Sequence, residues 1–587
     1  MTRFHTDTFT RILATLAAAP LLLSSCSTTY WSQNADDEVY DIIESREVSL
    51  FGSPSSFDIT TPHSNTDPDE IQAVRILSGR RTKNTRHINL SEAIALSIQN
   101  SRDYQSQKEN LYLAGIELTR ARHDFAPTVN NLSTGVSRDD SWTDGDHTDS
   151  QLSIPTRAGF DQMLKSGGSI AIDLAQNIFR FYLGDTVAPS TTFLAARLNQ
   201  PLLRGRGAIA TENLTQSERD VAYAIRSFSR FQKRHALDIA GDYFDILEQK
   251  DKVRNEYSNY RNLITFTQRA TELARDRLPK IQVDQARQDE LSARNRYINA
   301  IDSYRSLVDS FKLELGLPLG GELTLDDSVL DALTASGLTA VPLAETNAID
   351  IAVANRLDLL NEVDRFEDAQ RKVTVAADSF KPGLNLFADL SMQTRQGRDY
   401  SNFNPESYHS AIGLELDIPT DNLDARNTFR RAQISFQRQL RNLALAIDQI
   451  HFDVRSGLRG LELARQSHLI QQNALRLANQ RVEAVNLLLE TDRAETRDLL
   501  EARSDQLSAK NSLTSALIDY HLTRLEFLYD LGIFNPQQPE FWVKNPKIPS
   551  PVRNIIDQNP VSSTETRDPS LITPEDLFNE STQETLP

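Results

Sequence analysis

The ten residues LNQPLLRGRG (198–207) separate two different kinds of sequence. Before them, TTFLAARLNQP (191–201) alternates apolar and polar residues as a strand does. After them, no proline occurs until Pro279, which leaves room for a very long helix. The same transition recurs at LELDIPTDN (414–422). The sequence therefore predicts, twice, a strand that ends at a proline and is followed directly by a long helix.

Periodicity supports the long helices. In the first of them, and again in the last helix of the second copy, apolar residues recur at spacings of three and four, which places them in one stripe on a helix. A helix of about seventy residues is about 100 Å long at about 1.5 Å per residue. Such a rod cannot bury its stripe within one globule, so we expect it to pack against other rods. The stripes include Val221, Ile225 and Phe228, then Ile239, Tyr243 and Ile246, and late in the chain Leu513, Leu517 and Tyr520.

Composition agrees with extended helices and excludes several classes of function. The length of 587 residues would ordinarily indicate three or four domains, but only 22 residues are glycine. The net charge of −18 disfavours nucleic acid as a partner, because phosphate binding requires clustered Lys and Arg. The ten histidines are scattered and form no HExxH pattern. We therefore predict a protein that is not an enzyme and binds no cofactor or metal.

The N-terminal 25 residues have the pattern of an export signal. Arg3 and Arg11 precede the apolar run ILATLAAAPLLL, which is too short to span a bilayer comfortably. The following LSSC (23–26) resembles the lipobox of bacterial lipoproteins, which predicts acylation at Cys26. Ser27 then favours the outer membrane. The alternative is an ordinary signal peptide with a chance cysteine. Residues 26–87 are rich in Pro, Ser and Asp, and we expect a polar linker.

The middle of the chain repeats itself without gaps over its matching stretches. Asn100 matches Asn355, Asp103 matches Asp358, and FAP (125–127) matches FKP at the same offset. We therefore expect two internal structural repeats. The predicted boundaries are repeat 1 at 88–317, a connector at 318–343, repeat 2 at 344–534 and a Pro-rich acidic tail at 535–587.

Each repeat is predicted to have the same order of elements. A helix of about 35 residues leads to a β region (128–201 or 383–419), and a long helix and a further helix follow. The first β region is the longer one. We expect an extra hairpin or a large external loop there, around DDSWTDGDHTDS (139–150).

The alternating segments match the strands of a membrane β-barrel, which are about ten residues long and apolar on one face. A soluble β-sandwich or the β-domain of an adaptor protein alternates equally well. If the strands do cross a membrane, two hairpins are too few to close a barrel, for which about eight strands are needed. The barrel would then be shared, and three subunits with four strands each would supply twelve.

At this level of detail the chain resembles the outer-membrane efflux protein family, the TolC-like channels. The resemblance covers about residues 88–534. It rests on the duplicated opening helices, the FAP and FKP ends, and QPLLRGRG (200–207) before the long helix. A further similar stretch begins with ANQRVEAVNLLLETDRAETRDLLEARSDQL near the end of repeat 2.

The resemblance implies a mainly α fold with β, in which a long antiparallel α-helical barrel joins a membrane β-barrel shared by a trimer, four strands per subunit. Pro201 and Pro419 would end strands at the membrane surface, because proline cannot donate to a ladder. Gly205 and Gly207 would tolerate the unusual φ values of the strand-to-helix linker. The alternative, a phosphate-binding loop at RGRG, lacks the required spacing and lysine.

The resemblance also implies a pore constriction at the helical turns farthest from the membrane, near 275–284 and 487–498. In similar channels, acidic residues just past the second turn form rings around the pore. Asp498 and Glu501 match those positions and share a helix face. The alternative is that both acids only stabilise the first turns of a helix through its dipole.

In the first repeat the nearest acidic candidate is Asp284, although Pro279 departs from the small-residue turn expected there. Arg493 and Arg497 are candidates for salt bridges with neighbouring helices that hold the closed state.

The predicted function is the exit duct of a tripartite efflux pump or type I secretion system. The predicted partners are two further copies of the chain, a periplasmic adaptor (membrane fusion) protein, an inner-membrane pump or ABC exporter, and outer-membrane lipid. The duct itself would span the outer membrane and extend into the periplasm. The alternative is a lipid-anchored periplasmic coiled-coil adaptor or structural tether. Adaptors usually insert one helical hairpin into β-domains, whereas this sequence places strand hairpins between helices twice.

Overall fold

The structure is a computed structural model that describes residues 28–64, 66–81, 85–143, 146–183, 191–275, 279–339, 341, 343–394, 403–491, 493–538 and 542. The predicted signal peptide, Cys26 and nearly all of the predicted tail lie outside the described residues. The helices are α1 (Thr28–Phe51), α2 (Ala73–Gly79), α3 (Leu90–Asn100), α4 (Arg102–His123), α5 (Glu212–Leu273), α6 (Lys280–Glu314), α7 (Ser328–Ser336), α8 (Glu345–Asn355), α9 (Leu357–Asp378), α10 (Leu423–Glu490) and α11 (Thr496–Asp530). No helix in the described ranges is apolar over a long enough stretch to cross a membrane.

The strands are β1 (Arg86–Ile88), β2 (Thr128–Thr134), β3 (Ser137–Thr143), β4 (Asp146–Met163), β5 (Ser169–Leu183), β6 (Thr191–Pro201), β7 (Leu323–Leu325), β8 (Gly383–Thr394) and β9 (Phe403–Asp417). The chain is thus mainly α with one larger sheet, as the sequence predicts. It forms two compact units. Among the described residues, the first comprises those up to Gln72, Gln105–Phe231 and Leu360–Leu445, and the second comprises the others.

The sheet of the first unit contains seven strands in the order β2-β4-β5-β6-β8-β9, with β3 also paired to β4. Every neighbouring pair is antiparallel. The sheet thus has more strands than the four per subunit expected for the membrane barrel. The polar stretch around residues 139–150 alternates poorly, which is why the sequence could not distinguish an extra hairpin from a loop. The structure has the extra hairpin, in which β2 and β3 both pair with β4.

A proline explains why β2 and β3 are separate strands although they occupy one strand position beside β4. Pro155 of β4 has no N–H group to donate to a neighbouring strand. Opposite it, the Gly135 N–H donates to the Pro155 carbonyl at 3.0 Å, and pairing resumes on either side at Thr134–Thr156 and Ser137–Ser153. The sheet therefore has six strand positions, because β2 and β3 share one, and β2/β3 and β9 are its two edges.

The stretch expected to be a polar linker is helical in its first part. Helix α1 buries Val39, Ile42 and Ile43, which recur at helical spacing. Val39 packs so closely on α4 that a Cβ at Gly115 would lie 2.6 Å from it. The Tyr112 hydroxyl donates to Asp36 at 2.7 Å. The linker prediction is wrong for this stretch because only three apolar residues in 24 mark the packing face.

The second unit is built around a helical core. Residues of α3, α5, α6 and α11 pack with the short parallel pair β1–β7. Tyr243 at its centre donates to the Asp326 carbonyl at 2.8 Å, which satisfies its buried hydroxyl. The expected opening helix of about 35 residues is two helices in each half, because the chain leaves helical geometry at Ser101 and Arg356.

Candidate functional site at the helical turns

The turn between α10 and α11 is the first part of the candidate constriction. The Arg493 N–H donates to the Leu488 carbonyl at 2.9 Å, which closes the end of α10. Helix α11 then begins after Glu495, whose extended backbone (φ −92°, ψ 158°) is typical of a capping residue. The turn is therefore short and fixed by backbone hydrogen bonds on both sides.

Asp498 takes part in this cap. Its carboxylate Oδ2 accepts the Glu495 N–H at 3.0 Å, and the Glu495 side chain accepts from the backbone of Asp498 in return. This reciprocal arrangement is a capping box, which satisfies two donors at a helix N-terminus. The capping geometry agrees with the dipole alternative for Asp498. It also fixes the direction of the carboxylate, which a charged ring would require.

Glu501 lies one helical turn farther along α11 and pairs with α10. Arg481 donates from Nη2 to Glu501 Oε1 at 3.0 Å and from Nη1 to Asp505. The hydrogen bond to Glu501, followed by the charges of the nearby carboxylates, raises the pKa of Arg481. The pair is solvent-exposed, so its main effect is to fix the side chains rather than to stabilise the fold.

The turn between α5 and α6 forms the other part of the candidate site. Residues 276–278 lie outside the described ranges, and α6 begins after Pro279, which has φ −61° and ψ 141°. The Thr496 hydroxyl donates to Gln282 Oε1 at 2.9 Å, and Thr496 is only 1% exposed. This bond ties the first turn of α6 to the first turn of α11.

The other predicted residues have less definite surroundings. Asp284 is exposed on α6, two residues after Gln282. Arg493 and Arg497 are exposed, and neither forms an ion pair with another described residue. Among the described residues, Arg481 bridges α10 and α11, and its role was not predicted from the sequence.

Apolar packing supports the turns from behind. Leu263 of α5, Ala293 of α6 and Leu500 of α11 form a buried cluster, with Tyr260 and Phe266 packed against it. Small Ala residues on α6 let the helices approach closely. Movement of one turn would therefore disturb the packing of the other.

A second acidic group lies along α5, away from the turns. Burial raises the pKa of Asp242 to about 8, and the neighbouring Glu314 carboxyl adds to the shift. Burial also raises the pKa values of Asp238 and Asp245. The second unit thus has an acidic face as well as the acids at its turns.

The predicted strand-to-helix linkers lie at the helical end of the sheet. Pro201 is the last residue of β6 and is paired with Asn385, and Pro419 follows β9 by two residues. Gly205 and Gly207 have positive φ values of 79° and 61°, which favour glycine. The Gly205 N–H donates to Asp378 at 2.7 Å. The chain thus leaves the sheet through a turn anchored on α9.

The linker also ties the two strand regions together. Arg204 donates to Asp417 at the end of β9 at 3.1 Å. Because Gly383 pairs with Asp417, this contact joins the segment after β6 to the β8–β9 hairpin.

The sheet has one apolar and one polar face. In an antiparallel sheet, directly paired residues lie on the same face, and successive residues alternate. One row of pairs is apolar over five strands, and the adjacent row, on the other face, is more polar. On the polar row, Arg197 lies 4.0 Å from Asp173 and 3.8 Å from Asp389. The apolar row is Val129, Phe160, Ile172, Ala196 and Leu390, and the polar row is Thr128, Asp161, Ala171, Arg197 and Asp389.

Within the described residues, no group of three or more His, Cys, Asp or Glu side chains has the geometry to hold a metal ion. What the turns can do chemically is present carboxylates and attract cations.

One missed contact, between Arg481 and Asp505, could have been found from hairpin register. Arg481 and Asp505 lie at equal sequence distances from Arg493 at the turn, so they face each other when α10 and α11 run antiparallel. Thr496 and Gln282 have no comparable signal, because their bond joins two different hairpins.

Comparison with known proteins finds similarity in structure and not in sequence. No family model matches the sequence, and no curated protein is similar to it in sequence. Three solved structures illustrate the similarity in fold. CusC, described as forming a transmembrane channel, is 14% identical with a TM-score of 0.55, and the match covers 76% of this chain and 92% of CusC.

The Campylobacter jejuni CmeC outer membrane channel is 13% identical with a TM-score of 0.56, and the match covers 76% of this chain and 87% of CmeC. The open state of the Neisseria gonorrhoeae MtrE outer membrane channel is 14% identical with a TM-score of 0.53, and the match covers 76% of this chain and 91% of MtrE. At these identities the similarity establishes the fold. The chain therefore has the fold of the TolC-like outer-membrane channels, in which a helical barrel is joined to a β-domain.

Proposed function

We propose that this chain, which has the fold of the TolC-like channels, is a subunit of an outer-membrane efflux channel. Three copies would form a duct that crosses the outer membrane through the sheet and extends through the periplasm as a helical tube. The duct would be the exit of a tripartite efflux pump or of a type I secretion system. Energy would come from the inner-membrane partner, because conduction needs no reactive residue.

The observation that carries the proposal is the sheet with two different faces, inserted between very long helices. An apolar row faces one side and Arg197 with its acidic neighbours faces the other. A membrane barrel needs that division, with lipid outside and water inside. The edges of the sheet, β2/β3 and β9, require partners in a membrane, because unpaired backbone groups are costly there. A second copy supplies them.

The alternative function, a lipid-anchored periplasmic adaptor or tether, is less well supported. An adaptor would place one helical hairpin within β-domains, whereas here two strand regions lie between helices. The similar solved structures are described as channels.

The proposed constriction lies at the two helical turns. Asp498 and Glu501 would form its charged rings, and Asp284 would contribute from α6. Support comes from the bond between Thr496 and Gln282, which places the starts of α6 and α11 side by side. Arg481, rather than Arg493 or Arg497, would control the opening, since it already pairs with Glu501 across the hairpin.

The proposed partners are a periplasmic adaptor protein at the turns, an inner-membrane pump or ABC exporter beyond it, and outer-membrane lipid around the sheet. Acylation at Cys26 would add an anchor in the same membrane. We also propose that the two halves of the chain are copies of one unit, so that three chains give a tube of six similar hairpins.

The decisive experiment is ion selectivity in planar bilayers, with Asp498→Asn and Glu501→Gln combined. Asparagine can still accept the Glu495 N–H, so the variant removes charge and keeps the cap. We expect cation-selective steps from the natural protein and a reversal potential much closer to zero in the variant. Asp331→Ala is the matched control, because Asp331 is also an acid in the first turn of a helix.

The outcomes distinguish the proposed constriction from the proposed channel. Unchanged selectivity in the double variant would remove the assigned constriction and leave the channel. A stable oligomer that conducts no ions in either form would contradict the channel and favour the tether.

A further inference from the structure

The sheet of this chain has more strand positions than the predicted channel subunit needs. The sequence predicts four strands per subunit, and the structure has six strand positions, β2/β3, β4, β5, β6, β8 and β9. Because this number is even and all pairs are antiparallel, the two edge strands run in opposite directions. The β9 edge of one copy can therefore pair antiparallel with the β2/β3 edge of the next, and the ring can close.

The additional hairpin has the same two faces as the rest of the sheet. On β4, Ala158 and Phe160 are paired with Leu174 and Ile172 on the apolar face. Gly159, which lies between them on the chain, and Asp161, which follows Phe160, lie on the polar face. A hairpin that covered a loop or hung free in water would not need this division.

The additional hairpin also accounts for the difference in length between the halves. Before the strands, equivalent positions are 255 residues apart, as Leu90 and Glu345 are. At the prolines that follow the strands, Pro201 and Pro419, the offset is 218 residues. The loss of 37 residues matches one hairpin, since β2 to β4 runs from Thr128 to Met163.

We propose that each copy contributes six strands to the membrane wall, and that the β9 edge binds the β2/β3 edge of a second copy. This inference rests on the proposed function. Three copies would then form an eighteen-stranded barrel instead of a twelve-stranded one. Since barrel diameter grows roughly linearly with strand number, the cross-section at the membrane would be about twice as large. The exit of the duct would admit correspondingly wider cargo.

The test is cysteine accessibility in proteoliposomes, with a water-soluble maleimide and quantification of each site by peptide mass spectrometry. The variants are Phe160→Cys and Asp161→Cys on β4, with Ile172→Cys and Asp173→Cys on β5 as the matched controls. We expect at least tenfold more labelling at 161 than at 160, and the same ratio at 173 over 172. Site-resolved quantification keeps the natural Cys26 from contributing to the signal.

Two outcomes overturn different statements. Equal labelling at 160 and 161, with alternation kept at 172 and 173, would place the additional hairpin outside the wall and leave a four-stranded contribution. Loss of alternation at both pairs would contradict the membrane barrel and with it the proposed function. A cross-section of the purified oligomer by electron cryo-microscopy gives an independent count, and four strands per copy there would also refute the inference.

Discussion

The two halves of the chain match in the lengths of three pairs of helices, whereas their long helices, α5 (62 residues) and α10 (68 residues), and their strand regions differ. Helices α3 and α8 have 11 residues each, α4 and α9 have 22, and α6 and α11 have 35. Between α4 and α5 the first half has five strands, whereas between α9 and α10 the second has two. The lengths of these three helix pairs are therefore constrained, whereas the long helices and the strand regions vary.

The constraint is visible where the helices end. Gly316 follows α6 and Gly532 follows α11, with positive φ values of 67° and 76°. Each lies against the end of an opening helix, at the carbonyl of Asn100 or Asn355. Adding or removing one residue would rotate the end of the helix and move the glycine out of this contact. A hairpin, by contrast, enters and leaves a sheet on the same side, so one can be added without moving the helices.

Alanine at the two turn glycines should have the largest effect on stability. A Cβ on Gly316 would lie 2.2 Å from the Asn100 carbonyl oxygen, and one on Gly532 would lie 2.7 Å from that of Asn355. Strain from positive φ and the clash together should cost about 3 kcal/mol in each variant, more at Gly316. Thermal unfolding in detergent, followed by circular dichroism, measures this.

The control for this comparison is Gly52→Ala. Gly52 directly follows a helix, α1, and also has a positive φ, of 78°, but a Cβ there would meet no atom within 4 Å. It should lose only the conformational part, about 1 kcal/mol. Equal losses at all three glycines would show that the contacts with Asn100 and Asn355 do not constrain the halves.

The second prediction concerns a position where the matching helices differ. His521 of α11 corresponds to Arg305 of α6, since both lie at the same distance from the helix start. His521 is 0% exposed, and neither ring nitrogen has a hydrogen-bond partner among the described residues, whereas Arg305 is exposed. Burial, with the charges of Arg524 and His468, lowers the pKa of His521 to about 4.

Because the pKa of His521 is lower in the folded chain than in the unfolded one, its contribution is present above about pH 6.5 and is lost as the pH falls towards 4. His521→Leu should remove that loss. We expect the variant to gain about 2 kcal/mol over the natural protein between pH 8 and pH 5. Thermal unfolding across this range tests it, with Arg305→Leu as the control. Parallel pH profiles of the natural protein and the His521 variant would be the contrary result.

Much of the fold could be predicted because the signals were repeated. The proline-free stretch after Pro201 predicted α5, and Pro419 marked the start of α10 in the same way. Alternation predicted β5, β6, β8 and β9. These elements follow from backbone chemistry and periodicity, which act over a few residues and can be recognised in a single sequence.

The rest depends on contacts between distant residues. The stretch that forms β3 and much of β4 is polar, so only the pairing of β3 with β4 shows that it is a hairpin, and the pairing of β4 with β5 that it joins the sheet. Only three of the apolar residues of helix α1 are buried, and its position depends on packing against Gly115 of α4. At the candidate site, Asp498 and Glu501 could be proposed by resemblance, but the pairing of Glu501 with Arg481 requires the register of α10 against α11.

The smallest expected effect compares two glycines at similar depths in the long helices, Gly241 of α5 and Gly457 of α10. A Cβ on Gly241 would meet no atom within 4 Å, whereas one on Gly457 would lie 2.6 Å from the ring of Phe527. Gly241→Ala should therefore stabilise the protein by about 0.5–1 kcal/mol through helix propensity. Gly457→Ala gains the same propensity but must displace a buried ring, so it should lose about 1 kcal/mol net. Thermal unfolding of both variants gives the sign directly. If both variants are stabilised, α10 and α11 can separate enough to admit a methyl group, and the packing of the second half is looser than the contact between Gly457 and Phe527 implies.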